Sequence, residues 1–289
     1  MEQRISIERM EQAVNIFGSF DENIKIIEHE LSISVVNRDG SLKIAGENGE
    51  NVIYGVKAIE GLLELSGRGE PINEQNVRYV LQLVKSGQED KIGEVARDVL
   101  CVTAKGKPIK AKTLGQKRYV DAIKKSTVTL GIGPAGTGKT YLAVAAAAAA
   151  FRAMADAAKA DGISLRSVSA YRSYETQTGL YNRYVSIDGK ANAERYSARP
   201  GYSEHQTGLA LDINTASISA HFENTVEYAW LQENCAKFGF MLRYPQDKES
   251  ITGYRYEPWH YRYVGVETAQ ALRESGQCLE EYLQAAKAS

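Results

Sequence analysis

Apolar and polar residues alternate from Leu31 to Val36, which predicts a half-buried strand. Arg38-Asp39-Gly40 is a turn signal, and Ser41 to Ala45 is predicted as the returning strand. The period then changes. Val52, Val56, Ile59, Leu62 and Leu63 recur at helical spacing within Asn51–Leu65, and Val77, Val80, Leu81 and Val84 do so within Asn73–Ser86. Residues 103–118 are basic and poor in large apolar side chains, and are expected to form a linker. A short run, Thr127 to Ile132, is predicted as a strand feeding a glycine-rich loop. From Lys139 a long helix is predicted through the alanines Ala145 to Ala150 and on past Phe151, Met154 and Ala158, closed by Gly162. Beyond it, strands are expected at Ile163–Ser169, Leu209–Ile213 and Tyr261–Val264. Helices are expected at Tyr174–Tyr184, Thr225–Phe238, Glu267–Leu272 and Leu279–Ala286. Strands and helices do not alternate regularly, which favours α+β with an antiparallel sheet.

The chain has 289 residues, enough for two domains that each bury a core. A net charge of −1 gives no strong global pull toward nucleic acid or membrane. No apolar run approaches the length of a membrane span. The N-terminus mixes charges of both signs and lacks a signal core, so a cytoplasmic location is expected. Cys101, Cys235 and Cys278 are widely spaced and odd in number, which predicts reduced thiols and no disulfide framework.

Two segments carry candidate chemistry. Gly133 to Thr140, GPAGTGKT, fits GxxxxGK[ST] at every fixed position. In such a loop the backbone around Gly133, Gly136 and Gly138 surrounds phosphates, Lys139 reaches the outer oxygens and Thr140 binds Mg²⁺, with ATP as the ligand class. A working core of this kind also needs further parallel strands, one of them acidic, and nothing downstream offers βα repeats. The second segment is SEHQTGLALD, Ser203 to Asp212, followed by EPWH, Glu257 to His260. A mononuclear catalytic zinc site needs three protein ligands, an open position and a nearby base. His205, Asp212 and His260 can supply the ligands and Glu257 the base. His205 and Asp212 are seven residues apart, which excludes a helical i, i+4 pair. A loop would present His205, the next strand Asp212, and another strand His260, with Ala210 leaving room beneath the metal. On spacing alone, a hydrogen-bonded structural His–Asp pair is the simpler reading. The joint occurrence of all four residues favours the metal.

SAYRSYETQ, RYSARPGYSEHQTGLALD, GFMLRYP and TGYRYEPWHYRYVG together resemble the VanY-type zinc D-alanyl-D-alanine carboxypeptidases over residues 152–285. The resemblance implies the compact zinc peptidase fold shared with the hedgehog signalling domain. It implies His205, Asp212 and His260 as zinc ligands, Glu257 as general base and Arg172 as oxyanion stabiliser. Ser203 and Gln177 are further candidates for contact with a peptidoglycan stem peptide or D-Ala-D-Ala. The family also has a segment before Phe151 that is replaced here, so a gap in packing is expected.

Residues 1–148, with SLKIAGE, TLGQKRYVDAI and GPAGTGKTYLAVA, resemble the N-terminal part of PhoH-like cytoplasmic ATPases. The two strands and flanking helices near the N-terminus also resemble a KH-like module, which makes RNA a candidate partner. The expected organisation is therefore a small α+β module over 1–110, a linker with a truncated strand–loop–helix over 111–150, and a zinc peptidase domain over 151–289. The expected function is zinc-dependent D-Ala-D-Ala carboxypeptidase. The alternatives are an ATP-binding PhoH-like protein carrying the peptidase half as passenger, or a fusion without function.

Overall fold

The computed structural model describes residues 1–7, 10–38, 40–95, 99–103 and 105–288. The expected turn residue Asp39 lies outside them, as does Ala104 in the expected linker. The chain divides into two compact units, Met1–Lys117 and Arg118–Ser289.

The first unit runs β1 (Glu2–Ser6), α1 (Met10–Phe17), α2 (Glu22–Leu31), β2 (Ser34–Arg38), β3 (Ser41–Ala45), α3 (Gly49–Gly67), α4 (Glu74–Lys85), α5 (Ile92–Val95), β4 (Val99–Val102) and β5 (Pro108–Lys110). Its main sheet is antiparallel with β3 in the centre, in the order β1-β3-β2. Leu42 and Ile44 alternate inward from β3 and are fully buried with Ile59, Leu62 and Val80 of the covering helices. Asn48 and Asn73 cap α3 and α4 by accepting from Glu50 and Asn76 backbone N–H groups. The expected linker is partly structured instead, because β5 pairs antiparallel with β4. Backbone pairing does not require the large apolar side chains whose scarcity suggested a linker.

The division falls inside α6 (Leu114–Lys125), and the second unit continues through α7 (Lys139–Ala160), β6 (Leu165–Ser169), α8 (Tyr174–Asp188), α9 (Lys190–Ala193), β7 (Ala210–Thr215), α10 (Val226–Asn234), β8 (Phe240–Leu242), α11 (Glu249–Thr252), β9 (His260–Tyr263), α12 (Val266–Ser275) and α13 (Leu279–Ala288). Its sheet is antiparallel, in the order β6-β7-β9-β8. Residues 127–132 form no strand, contrary to expectation. A strand needs a backbone partner, and Leu130 and Ile132 stand 84% and 96% exposed with none.

Ile123 of α6 packs in the same core as Ala143, Ala146, Ala147 and Met154 of α7 and Leu211, Ile213, Tyr261 and Tyr263 of the sheet. By contacts the chain divides near 117, where 110 and 150 were expected, and α7 packs within the second unit. The expected packing gap is filled by α7 itself. By length and composition this 22-residue helix is apolar enough to cross a membrane, against the expectation of no such run. A core helix meets the same test, and its small side chains let it lie close against the sheet.

Pairing fixes which residues share a face. Leu211 stands opposite Tyr261, and both enter the core beneath α7. One step along, Asp212 stands opposite His260, and both project from the other face. The sheet thus has a packed side and a chemical side.

Candidate metal centre

His205 lies in a 3-10 turn, Glu204–Thr207, just before β7. Gly208 ends that turn with φ +78°, and a Cβ there would meet Val144 Cγ2 at 2.4 Å, so only glycine fits between the turn and α7. The segment after β6 clamps the turn from the other side. Ala170 accepts from His205 Nδ1 at 2.6 Å, and the Arg172 backbone N–H donates to the His205 carbonyl at 3.1 Å. A ring nitrogen bonded to a carbonyl must carry the proton, so Nε2 of neutral His205 presents a bare lone pair. That nitrogen faces Asp212 Oδ2 at 3.4 Å.

His260 enters from β9 with Nδ1 at 3.2 Å from Asp212 Oδ1. The two imidazoles stand edge to face, ring centroids 4.9 Å apart. One ligand atom from each of His205, Asp212 and His260 lies within 4.8 Å of the others. Asp212 Oδ1 is buried and forms no hydrogen bond. Burial opposes a charge on both Asp212 and His260. The facing groups win, holding the Asp212 carboxyl well below its usual range and pushing His260 up to about 9. Acceptors facing acceptors, and a buried histidine driven to take a proton, mark a place that calls for a cation. The mixed nitrogen and oxygen donor set fits zinc.

Glu257 precedes His260 in a turn closed by the His260 N–H donating to the Glu257 carbonyl at 3.2 Å. Its Oε2 is 3.6 Å from His260 Nδ1. Burial pushes its carboxyl up to about 7; His260 opposes this and Asp212 adds to it. Arg172 brings its Nη2 to 3.8 Å from Asp212 Oδ2. The guanidinium is held by Gln177 Oε1 at 2.8 Å and Ser169 Oγ at 3.1 Å. The Gln177 Nε2 donates to the Ala198 carbonyl at 2.6 Å. Gln177, expected to contact substrate, thus has both ends of its amide engaged and orients Arg172. Ser203 lines a cavity of about 380 Å³ over the centre, with Arg172, Tyr184, Tyr196, Arg255 and Trp259. Ala210 stands opposite Arg262, not under the ligand pair, so the room it leaves lies beside that arginine.

The glycine loop takes a different form from the one expected. Gly136 and Gly138 have φ of +78° and +80°, and α7 begins at Lys139. The Lys139 ammonium closes back on its own loop, donating to Gly133 and Pro134 carbonyls at 3.1 and 2.7 Å and to Thr137 Oγ1 at 2.8 Å. With no strand before it, the loop is an exposed turn on the helix end, and Thr140 is exposed beside it.

Sequence reasoning missed Glu204, Arg243 and Tyr244. Tyr244 packs against His260 with centroids 5.0 Å apart. Glu204 Oε1 accepts from Arg243 Nε at 2.8 Å, and its Oε2 faces His260 Nε2 at 3.8 Å. Glu204 lies in SEHQTGLALD and Arg243 and Tyr244 lie in GFMLRYP, but neither motif shows that the two segments meet.

Residues 140–266 match the family described as D-alanyl-D-alanine carboxypeptidase, VanY, and residues 108–159 match the PhoH-like protein family. A D-alanyl-D-alanine carboxypeptidase of Enterococcus faecalis is 48% identical over 141 residues, 46% of this chain and 52% of that protein. A PhoH-like protein of Mycobacterium leprae is 42% identical over 135 residues, 46% of this chain and 38% of that protein. A solved structure of VanYB in complex with D-alanine-D-alanine is 44% identical, with a TM-score of 0.45, over 48% of this chain and 80% of that one. The chain spans about half the length of the curated carboxypeptidases it matches. Residues 140–266, the segment that matches the carboxypeptidase family, contain the whole His205, Asp212, His260 and Glu257 constellation, and over this segment the chain is similar to the VanY-type D-alanyl-D-alanine carboxypeptidases.

Proposed function

We propose that this chain hydrolyses the terminal D-alanine from peptides ending in D-Ala-D-Ala, the substrate class of peptidoglycan stem peptides. The observation that carries the reading is the convergence of His205, Asp212 and His260 within 4.8 Å, with Glu257 Oε2 3.6 Å from His260 Nδ1. His205 through Nε2, Asp212 through a carboxylate oxygen and His260 through Nδ1 would hold a zinc ion, which supplies Lewis acidity to a water and to the scissile carbonyl.

The protein's own groups do the rest. Glu257 is a buried carboxylate beside the ligand set, placed to hold the proton released by the attacking water and to return it to the departing amine. Arg172 is fixed by Gln177 and Ser169, so its positive charge is in place for the oxygen that becomes negative, without reorganisation during the reaction. The cavity above offers tyrosine rings and Arg255, whose guanidinium lies 4.3 Å over Tyr196, for the peptide and its carboxylate.

The test is D-alanine release from a D-Ala-D-Ala peptide by purified protein, with and without a chelator. Release should require metal. Glu257→Gln should lower kcat by a factor of about 100 or more while zinc stays bound. His205→Ala should lose the zinc. Chelator-insensitive release, or normal turnover in Glu257→Gln, would contradict the assignment.

A further inference from the structure

Glu204 sits in a buried charged network that the mechanism above does not use. Its Oε1 accepts from Arg243 Nε at 2.8 Å. Arg243 is 7% exposed and is clamped from behind by Glu280 of α13, with Nη1 and Nη2 donating at 3.0 and 2.6 Å. Glu204 Oε2 has no hydrogen bond and faces two donors, His260 Nε2 and Arg262 Nη1, each at 3.8 Å. His260 Nε2 is also buried without a hydrogen bond. Glu204 is not itself in the ligand cluster, which it flanks behind the far edge of the His260 ring.

The two nitrogens of His260 therefore face different carboxylates. Nδ1 faces Asp212 and Glu257, and Nε2 faces Glu204. A carboxylate behind a ring nitrogen favours the tautomer with the proton on that nitrogen, which leaves the other as a lone pair aimed into the cluster.

We infer that Glu204 is a positioning residue for the metal centre. It holds the proton of His260 on Nε2 so that Nδ1 is the donor atom to zinc, and it is itself held by Arg243 on the Glu280 anchor. The inference rests on the metal-centre reading and goes beyond it. A cation in the cluster commits the Nδ1 lone pair, leaves a proton on Nε2 and strengthens the pull of Glu204 on that edge. The same carboxylate raises the basicity of the ligand. Arg243, bridging Glu204 and Glu280, holds the Glu204 carboxylate at that edge of the ring.

Two measurements test this. In the zinc-loaded full chain, ¹⁵N spectra of the histidine rings should show His260 protonated at Nε2 and bound through Nδ1. Binding through Nε2 would overturn the inference with no variant needed. In competition with a chromophoric chelator, Glu204→Ala should bind zinc about 10- to 100-fold more weakly than the unaltered chain. Glu204→Gln, which keeps an acceptor oxygen but not the charge, should fall between. A Glu204→Ala protein that is folded and matches the unaltered chain in zinc affinity overturns this inference alone. An unaltered chain that takes up no zinc overturns the metal-centre reading, and this inference with it.

Discussion

Gln177 is 1% exposed, with one end of its amide on Arg172 and the other on the Ala198 carbonyl. Replacing it with leucine keeps the volume but strands a guanidinium N–H and a half-buried carbonyl, a cost of roughly 1–3 kcal/mol. Because Arg172 matters most where negative charge develops, Gln177→Leu should lower kcat about tenfold or more and leave zinc affinity unchanged. Steady-state kinetics beside a zinc titration reads both. Unaltered kcat would show that Arg172 needs no orienter. At this scale the three residues that the fold brings together, His205, Asp212 and His260, could be singled out from the sequence, because the chain has only four histidines and two of them fall in these short motifs. Glu204 and Arg243 were not, since their meaning lies in a contact across 39 positions that only the folded sheet creates. Gln177 was legible as important but not as an orienter, because its role depends on what its two ends meet.

Gly208 joins the histidine turn to α7, and both its positive φ and the 2.4 Å approach to Val144 Cγ2 exclude a side chain. Gly208→Ala should destabilise the second unit by about 1–3 kcal/mol through backbone strain and overpacking. Val144→Ala in the same chain should recover part of that loss, since it removes the nearest atom but not the positive φ. Denaturant melts of the single and double variants check this; a Gly208→Ala protein as stable as the unaltered chain would show that the turn moves freely off the helix. Among elements, β6, β7 and β9 were predicted to within two residues at each end, because alternation and length are local properties. The run Thr127–Ile132 has the composition of a strand and is none, because pairing is not a local property and none of the described strands pairs with it. β1 went unread because five residues with only Ile5 buried give no alternation to detect.

Each unit carries its own core. One cluster is built wholly from residues before 118, centred on Leu42, Ile44 and Ile59, and the others wholly from residues after it, centred on Ile213, Tyr261 and Leu272. A chain beginning at Arg118 should therefore fold, bind zinc and release D-alanine at a rate close to that of the full chain. A chain beginning at Arg152, where family resemblance alone would cut, loses Ile123, Ala143, Ala146 and Ala147 from the second core and should fail to melt cooperatively. Circular dichroism and activity of the two truncations separate these outcomes, and a folded, active product of the later cut would place α7 outside the core. Both family matches run through residues 140–159, all of them within α7. The part of α7 that enters this core is mostly alanine, with Met154 fully buried and Phe151 packed alongside. Small side chains at Ala143, Ala146 and Ala147 let the backbone of α7 lie close to the strands, so a larger side chain at any of them would push the helix outward and remove the backing from the strands whose opposite face carries Asp212 and His260.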